Sequence, residues 1–211
     1  MLPSRIIADP ELTIGLPPKI TAAVGMDALS HCLEAYCSPH YHPMSQGMAL
    51  EGMRLIKENL PVVLKDGNNI TSRAHMMSAA IMGATAFQKG LGAIHAASHP
   101  VGAVHNTHHG TTNAVFMREA LLLNRPAIEK KIGALCNYLD IPDGFAGFIS
   151  FIDKLNADLS IPTSLTDLGV KNANIEALVA SALKDPSCGG NPVTLTKENM
   201  TKLFINCLWT N

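Results

Sequence analysis

Apolar residues recur through most of this sequence at intervals of three and four, the spacing that places them on one face of an α-helix. The predicted helix over residues 197–209 is a clear case, because its apolar residues keep this spacing and Thr196 is suited to cap its first turn. Residues 69–88 differ, since small and apolar side chains cover most sides of that predicted helix. We therefore expect this helix to be almost fully buried.

Prolines, glycines and capping residues set the expected boundaries of the helices. We predict helices over residues 19–37, 45–65, 69–88, 91–104, 112–124, 126–139, 144–159, 174–184 and 197–209. Pro61 is expected to kink the second helix or end it early, and residues 106–110 are expected to form a turn. The predicted domains are a junction segment over residues 1–16, extended or irregular, and one helical domain over residues 17–211.

Strand signals are scarce in this sequence. The apolar stretch over residues 6–8 alternates poorly and stands alone. No strand leads into a G-x-G-x-x-G loop, and there is no G-x-x-x-x-G-K-[ST] phosphate-binding loop. The sequence therefore predicts an all-α protein, a multi-helix bundle without a nucleotide-binding half of its own.

Composition and charge narrow the classes of function. The 211 residues are 47% hydrophobic and 16% charged, with a formal net charge of −1, which is typical of a globular protein. No run of lysine or arginine supports nucleic-acid binding, and no stretch of about 18 apolar residues predicts a membrane span. We predict no nucleic-acid partner and no membrane partner, and we leave a homo-oligomer open.

The cysteines and the start of the sequence indicate a cytoplasmic location. Five cysteines without a C-x-x-C pair argue against a disulfide framework and against a thiolate zinc site. Residues 1–5 lack the charged and apolar regions of a secretory signal.

Aspartate and histidine residues at one-turn spacing are the candidates for chemistry. Asp27 and His31 are four residues apart, so a helix places both on one face. His95 and His99 repeat this spacing on a second predicted helix, and His109 follows in the predicted turn. A single such pair is a weak signal, because Asp27 could be an exposed acid and His31 a core histidine. The repetition favours a shared metal site.

Imidazole nitrogens and a carboxylate oxygen suit Fe(II) or Zn(II) better than magnesium or calcium. Four protein ligands leave room for water or a substrate oxygen when the ion expands to five-coordination. Spacing alone does not decide whether His95 or His99 is the ligand. Glu34, one turn beyond His31, is interpreted either as an acid that supports a ligand from behind or as a surface residue, and we favour the surface.

Two segments of the sequence resemble the iron-containing (group III) alcohol dehydrogenase family. They are GMDALSHCLEAY over residues 25–36 and LGAIHAASHPVGA over residues 91–103, and the second continues to NTHHG at residues 106–110. The resemblance extends over essentially the whole chain. It implies the helical C-terminal domain of a dehydroquinate synthase-like fold, with the N-terminal α/β half expected to be absent.

The resemblance implies that Asp27, His31, His95 and His109 are the ligands of one Fe(II), with Zn(II) as the second choice. It makes His99 a catalytic and cofactor-contacting residue, near the nicotinamide and the substrate, that does not bind the metal. It also implies hydride transfer between a small alcohol or carbonyl substrate and NAD(P). The chain alone is expected to be inactive because the nucleotide-binding half is missing.

Other interpretations remain open at this point. A metal-dependent hydrolase would call for adjacent His and Asp residues or further carboxylates, and the sequence has neither. A non-catalytic helical metal-binding fragment, a zinc-dependent glycerol dehydrogenase and a dehydroquinate synthase-like enzyme are further alternatives. His105 and His108 stand where the family pattern has an aromatic residue and a proline, so the identity of the alcohol stays open.

Overall fold

The computed structural model describes residues 4–209, and over this range the chain forms eight α-helices and three short 3-10 helices, with no β-strand. The α-helices are α1 (Pro18–Cys37), α2 (Pro43–Lys65), α3 (Ile70–Ala86), α4 (Ala93–His105), α5 (His109–Tyr138), α6 (Gly144–Asp158), α7 (Ile175–Ala182) and α8 (Lys197–Leu208). The 3-10 helices are Pro10–Thr13, Phe87–Lys89 and Pro186–Gly190. The predicted all-α fold is confirmed. None of the described helices combines the length and hydropathy that a membrane span requires.

The predicted junction segment contains more regular structure than expected. Its residues 10–13 form the first 3-10 helix, and Asp9 begins it by accepting a hydrogen bond from the backbone N–H of Glu11 at 2.9 Å. Residues 1–3 and 210–211 lie outside the described part of the chain. The division of the chain between residues 16 and 17 stays a prediction.

Pro61 and Pro126 both lie inside helices. α2 continues through Pro61 and ends at Lys65, which is the end that the sequence predicted, whereas the two helices predicted on either side of Pro126 are one helix, α5. A proline inside a helix removes one backbone hydrogen bond and introduces a steric clash. In α5 that cost is offset by packing, because Leu121 before the proline and Ile128 and Ile132 after it are all buried in the core.

α3 is less buried than predicted. Its residues that are shielded from solvent lie mostly on the side that packs against α1 and α2, and they are Ser72, Arg73, Ala79, Gly83 and Ala86. Ile81 is 46% exposed and Ile70 is 40% exposed. The expectation of near-complete burial was therefore wrong. A helix that is apolar all round does not reveal from its sequence which of its faces the fold covers.

α1 lies at the centre of the bundle, in contact with α2, α3 and α5. Small residues let its neighbours approach closely: a Cβ atom on Gly25 would come within 2.5 Å of the Leu60 side chain in α2. Asp27 and His31 therefore project from a helix that is tightly held by its neighbours. This close packing fixes the positions of Asp27 and His31, the part of the candidate site that α1 contributes.

Candidate metal centre

Four residues from three helices meet at one point. Asp27 and His31 come from α1, His95 comes from α4 and His109 is the first residue of α5. Each offers one ligand atom, and these four atoms all lie within 4.8 Å of one another. The structure thus brings together the four residues that the family resemblance implies as metal ligands.

The Asp27 carboxylate lies among the three imidazoles. Its Oδ1 is 3.4 Å from Nε2 of His109, 3.8 Å from Nε2 of His95 and 3.9 Å from Nε2 of His31. Two pairs of rings also stack, His31 on His95 with centroids 4.8 Å apart and His99 on His109 with centroids 5.4 Å apart. Three Nε2 atoms and one carboxylate oxygen are a donor set that fits Fe(II) or Zn(II).

The position of His109 depends on a close approach between α5 and α1. A Cβ atom on Gly110 would lie 2.1 Å from the backbone oxygen of Ala23 and 3.0 Å from Cβ of Asp27. Only glycine leaves enough room for the first turn of α5 to rest against the backbone of α1. His109 is part of that helical turn, so its predicted place in an irregular turn was wrong.

His95 is oriented by a buried carboxylate that the sequence analysis placed on the surface. Glu34 is only 7% exposed, and its Oε2 lies 2.6 Å from Nδ1 of His95. Its other oxygen accepts a hydrogen bond from the backbone N–H of Ile94 at 2.7 Å. With the Nδ1 proton directed to Glu34, Nε2 of His95 presents its lone pair to the cluster.

The signal for Glu34 was present in the sequence. Asp27, His31 and Glu34 are spaced four and three residues apart, so they share one face of α1. The bond from Ile94 to Glu34 holds the first turn of α4 to that face, and Asn191, which lies after the last 3-10 helix, accepts a second hydrogen bond from the N–H of Ala93 at 3.0 Å. These remote acceptors replace a local cap at a helix start that has none.

The protonation of the cluster favours ligation. Burial lowers the pKa of His31 and the pKa of His109, and this effect outweighs the opposite influence of the Asp27 carboxylate. The two imidazoles are therefore neutral at neutral pH. A neutral imidazole has the free lone pair that a metal ligand needs.

His99 lies beside the cluster and does not belong to it. Its side chain is 43% exposed, and its Nδ1 is 2.7 Å from Oδ2 of Asp185. Asp185 caps the 3-10 helix Pro186–Gly190 by accepting from the N–H of Ser187 at 2.8 Å. Burial tends to raise the pKa of Asp185, but hydrogen bonds from Ser187 and His99 hold it below its usual value.

A further residue that the sequence analysis missed lies against the cluster. Asn113 is fully buried one turn after His109 on α5. Its Nδ2 is 2.8 Å from Oδ1 of Asp27, 3.1 Å from Nε2 of His109 and 3.3 Å from Nε2 of His95. The four-residue interval between His109 and Asn113 was the available signal. Asp185 had none, because it is 86 residues from His99.

The model of the Fe-containing alcohol dehydrogenase family, C-terminal, matches residues 21–208. The chain therefore belongs to the iron-containing alcohol dehydrogenase family, and the match is to the C-terminal part of that family. The family predicted from the two sequence segments is confirmed.

Individual relatives agree with this assignment. The 4-hydroxybutyrate dehydrogenase of Cupriavidus necator is 37% identical over 201 residues, which cover 91% of this chain and 52% of that protein. A crystal structure of a 1,3-propanediol oxidoreductase has a TM-score of 0.90 at 32% identity, over 95% of this chain and 55% of that one. The NAD+ complex of sulfoacetaldehyde reductase from Bifidobacterium kashiwanohense has a TM-score of 0.87 at 26% identity. The match covers 96% of this chain and 54% of that one. The chain thus spans about half the length of the relatives it matches.

Proposed function

We propose that this chain is the metal-binding half of a metal-dependent, NAD(P)-linked alcohol dehydrogenase, which interconverts a small alcohol and its aldehyde or ketone. In this proposal Asp27, His31, His95 and His109 hold one Fe(II), with Zn(II) as the second choice. The observation that carries the proposal is the convergence of their four ligand atoms within 4.8 Å of one another. Family membership supports the class of reaction.

The bound ion would supply Lewis-acid chemistry to the alcohol or carbonyl oxygen. The protein keeps the imidazole ligands neutral and correctly oriented. Glu34 directs the lone pair of His95 toward the cluster, and burial keeps His31 and His109 unprotonated. The cluster is thereby prepared to accept a cation.

His99 is proposed to act on the substrate and nicotinamide side of the centre. With its Nδ1 proton directed to Asp185, its Nε2 is left as an acceptor. An exposed imidazole beside the metal ligands can accept the hydroxyl proton of an alcohol or orient the substrate. Asp185 is a positioning residue in this proposal, because it fixes the tautomer of His99.

NAD(P) and the substrate complete the proposal. Hydride transfer would use a nicotinamide, and the chain aligns with only about half of relatives such as the 1,3-propanediol dehydrogenase of Citrobacter freundii. We therefore propose that most contacts to NAD(P) come from a segment equivalent to the other half of these relatives, the half to which this chain does not align. A cytoplasmic location and a homo-oligomer stay predictions.

Metal analysis tests the first part of the proposal. The chain is purified without metal-affinity resin, reconstituted anaerobically with Fe(II) and analysed for bound iron. We expect one ion per chain, lost in His95→Ala and kept in His75→Ala, since His75 is exposed and outside the cluster. No bound metal in the reconstituted chain would contradict the proposal.

Alcohol-dependent formation of NAD(P)H tests the second part. The metal-loaded chain is assayed alone and together with the separately produced N-terminal half of the Cupriavidus necator relative. We expect no turnover by the chain alone and turnover by the pair, abolished by His95→Ala. Metal binding without turnover in either sample would support a non-catalytic metal-binding module instead.

A further inference from the structure

Asn113 is a fully buried polar residue in contact with the candidate centre. It is 0% exposed, and its Nδ2 faces Asp27, His95 and His109 at 2.8, 3.3 and 3.1 Å. Its Oδ1 accepts a hydrogen bond from the hydroxyl of Ser98 on α4. The carboxamide therefore lies between the ligand atoms on one side and a serine on the other.

The carboxamide and a metal ion would use the same lone pairs. A neutral imidazole with its proton on Nδ1 has a single lone pair, on Nε2. In His95 the proton is directed to Glu34, so the lone pair that faces Asn113 is the one that would bind an ion. An N–H group of Asn113 and a cation cannot both occupy it.

Turning the carboxamide by half a rotation removes this conflict. Nδ2 would then donate to the hydroxyl oxygen of Ser98, and the single Ser98 proton would go to the backbone oxygen of His95, 3.3 Å away. Oδ1 would face the carboxylate of Asp27 and the two imidazoles. That arrangement places the Oδ1 atom of Asn113 against the lone pairs of the carboxylate and of the imidazole nitrogens. It is therefore favourable only when a cation lies between them.

We infer that Asn113 is a metal-responsive residue of this centre. Without an ion, the two Nδ2 protons are shared among the ligand atoms of Asp27, His95 and His109, which all lie within 3.3 Å of Nδ2. With an ion, the carboxamide turns, and Oδ1 faces the cation as an additional oxygen contact. The inference rests on the proposed function only in requiring that an ion binds at these ligands.

Side-chain amide NMR of the wild-type chain tests this inference directly. The probe is Zn(II), which is diamagnetic, added to 15N-labelled chain, and the Asn113 NH2 signals are assigned through its own backbone. Without metal, we expect NOEs from these amide protons to ring protons of His95 and His109. At one equivalent of Zn(II), we expect these NOEs to be replaced by NOEs to the β protons of Ser98.

The outcomes separate this inference from the proposed function. Full Zn(II) occupancy with the NOEs to His95 and His109 unchanged would overturn the metal-responsive role and leave the metal site intact. Failure to bind Zn(II) or Fe(II) at all would overturn the proposed function, and the inference with it.

A charge variant adds an independent measurement. Asn113→Asp keeps the size of the side chain and offers only oxygen, so we expect Zn(II) to bind about tenfold more tightly or better, while the metal-free chain melts at a lower temperature. Asn68→Asp makes the same change of charge at an exposed position and should alter neither quantity. Equal Zn(II) affinity in Asn113→Asp and in the wild type would contradict the inference.

Discussion

The two histidines of α4 differ sharply although they are one helical turn apart and are held in the same way. Each directs Nδ1 to a carboxylate from another element, His95 to Glu34 at 2.6 Å and His99 to Asp185 at 2.7 Å. His95 is 1% exposed and has Nε2 in the cluster with Asp27. The His99 side chain is 43% exposed and lies outside that cluster.

Burial and surroundings therefore separate a candidate ligand from a candidate proton acceptor. The spacing in the sequence and the partner on Nδ1 are the same for both residues. What differs is the position of Nε2: in His95 it lies 3.8 Å from Oδ1 of Asp27 inside the buried cluster, whereas the exposed ring of His99 lies outside the cluster and stacks on its member His109.

The largest effect is expected from removing the buried histidine. His95→Ala should abolish stoichiometric metal binding and should destabilise the metal-free chain by about 3 kcal/mol, because the Glu34 oxygen that accepted from His95 stays buried without a hydrogen bond. His99→Ala should keep one ion per chain. Metal analysis and urea unfolding of both variants check this. The contrast fails if His99→Ala loses the ion and His95→Ala keeps it.

A smaller but more specific effect is expected at the carboxylate partner of His95. In Glu34→Gln the new amide can donate to Nδ1 of His95, which moves the ring proton to Nε2 and blocks ligation. We expect metal affinity to fall by about 10- to 100-fold, measured by competition with a chelator. Unchanged affinity would show that Glu34 does not set the tautomer of His95.

The matching change at His99 should leave the metal site almost intact. Asp185→Asn moves the ring proton of His99 in the same way, but His99 is not among the proposed ligands. We expect metal affinity to change by less than about fivefold, as for other exposed polar contacts. Turnover in the assay with the N-terminal half of the Cupriavidus necator relative should fall. A loss of metal affinity as large as that of Glu34→Gln would remove the distinction between the two histidines.

The smallest effect concerns the stability of the metal-free chain at different pH. The pKa values of His31 and His109 are lowered in the folded state from the ordinary value of 6.5. As the pH falls below that value, the unfolded chain takes up protons before the folded chain does, so the free energy of unfolding should decrease. Urea unfolding on both sides of pH 6.5 measures this.

A double variant is the control for the pH prediction. His31→Gln together with His109→Gln removes both titrating groups from the candidate centre. Its stability should depend less on pH than that of the wild type. An equally steep dependence in the double variant would contradict burial of these two imidazoles in their neutral form.

Much of the fold could be predicted from the sequence because it depends on local patterns. Thr196 caps α8 as expected, accepting from the N–H of Asn199, and Asn69 caps α3 by accepting from the N–H of Ser72. Where tertiary packing decides, prediction failed. The buried residues on both sides of Pro126 keep α5 continuous, and the exposed face of α3 depends on which helices cover it.

The residues of the candidate site could be predicted where one-turn spacing indicated a shared target. Contacts made between distant parts of the chain could not be predicted in this way. Asp27 and His31 are neighbours on one helix, so their spacing indicated a shared target. Asp185 contacts His99 only because the fold brings together residues far apart in sequence. Asn113 and Glu34 lay at helical spacing from predicted ligands, yet their burial, which gives them their contacts, is a property of the assembled bundle.

In the proposed centre, Asp27, His31, His95 and His109 hold one ion and His99 lies beside it. Crystals of the chain, loaded anaerobically with Fe(II) and measured at the iron edge, would locate the ion in an anomalous difference map. We expect one peak among the three Nε2 atoms and the Asp27 carboxylate, with His99 uncoordinated. No peak at these residues, or a peak coordinated by His99 in place of His95, would contradict it.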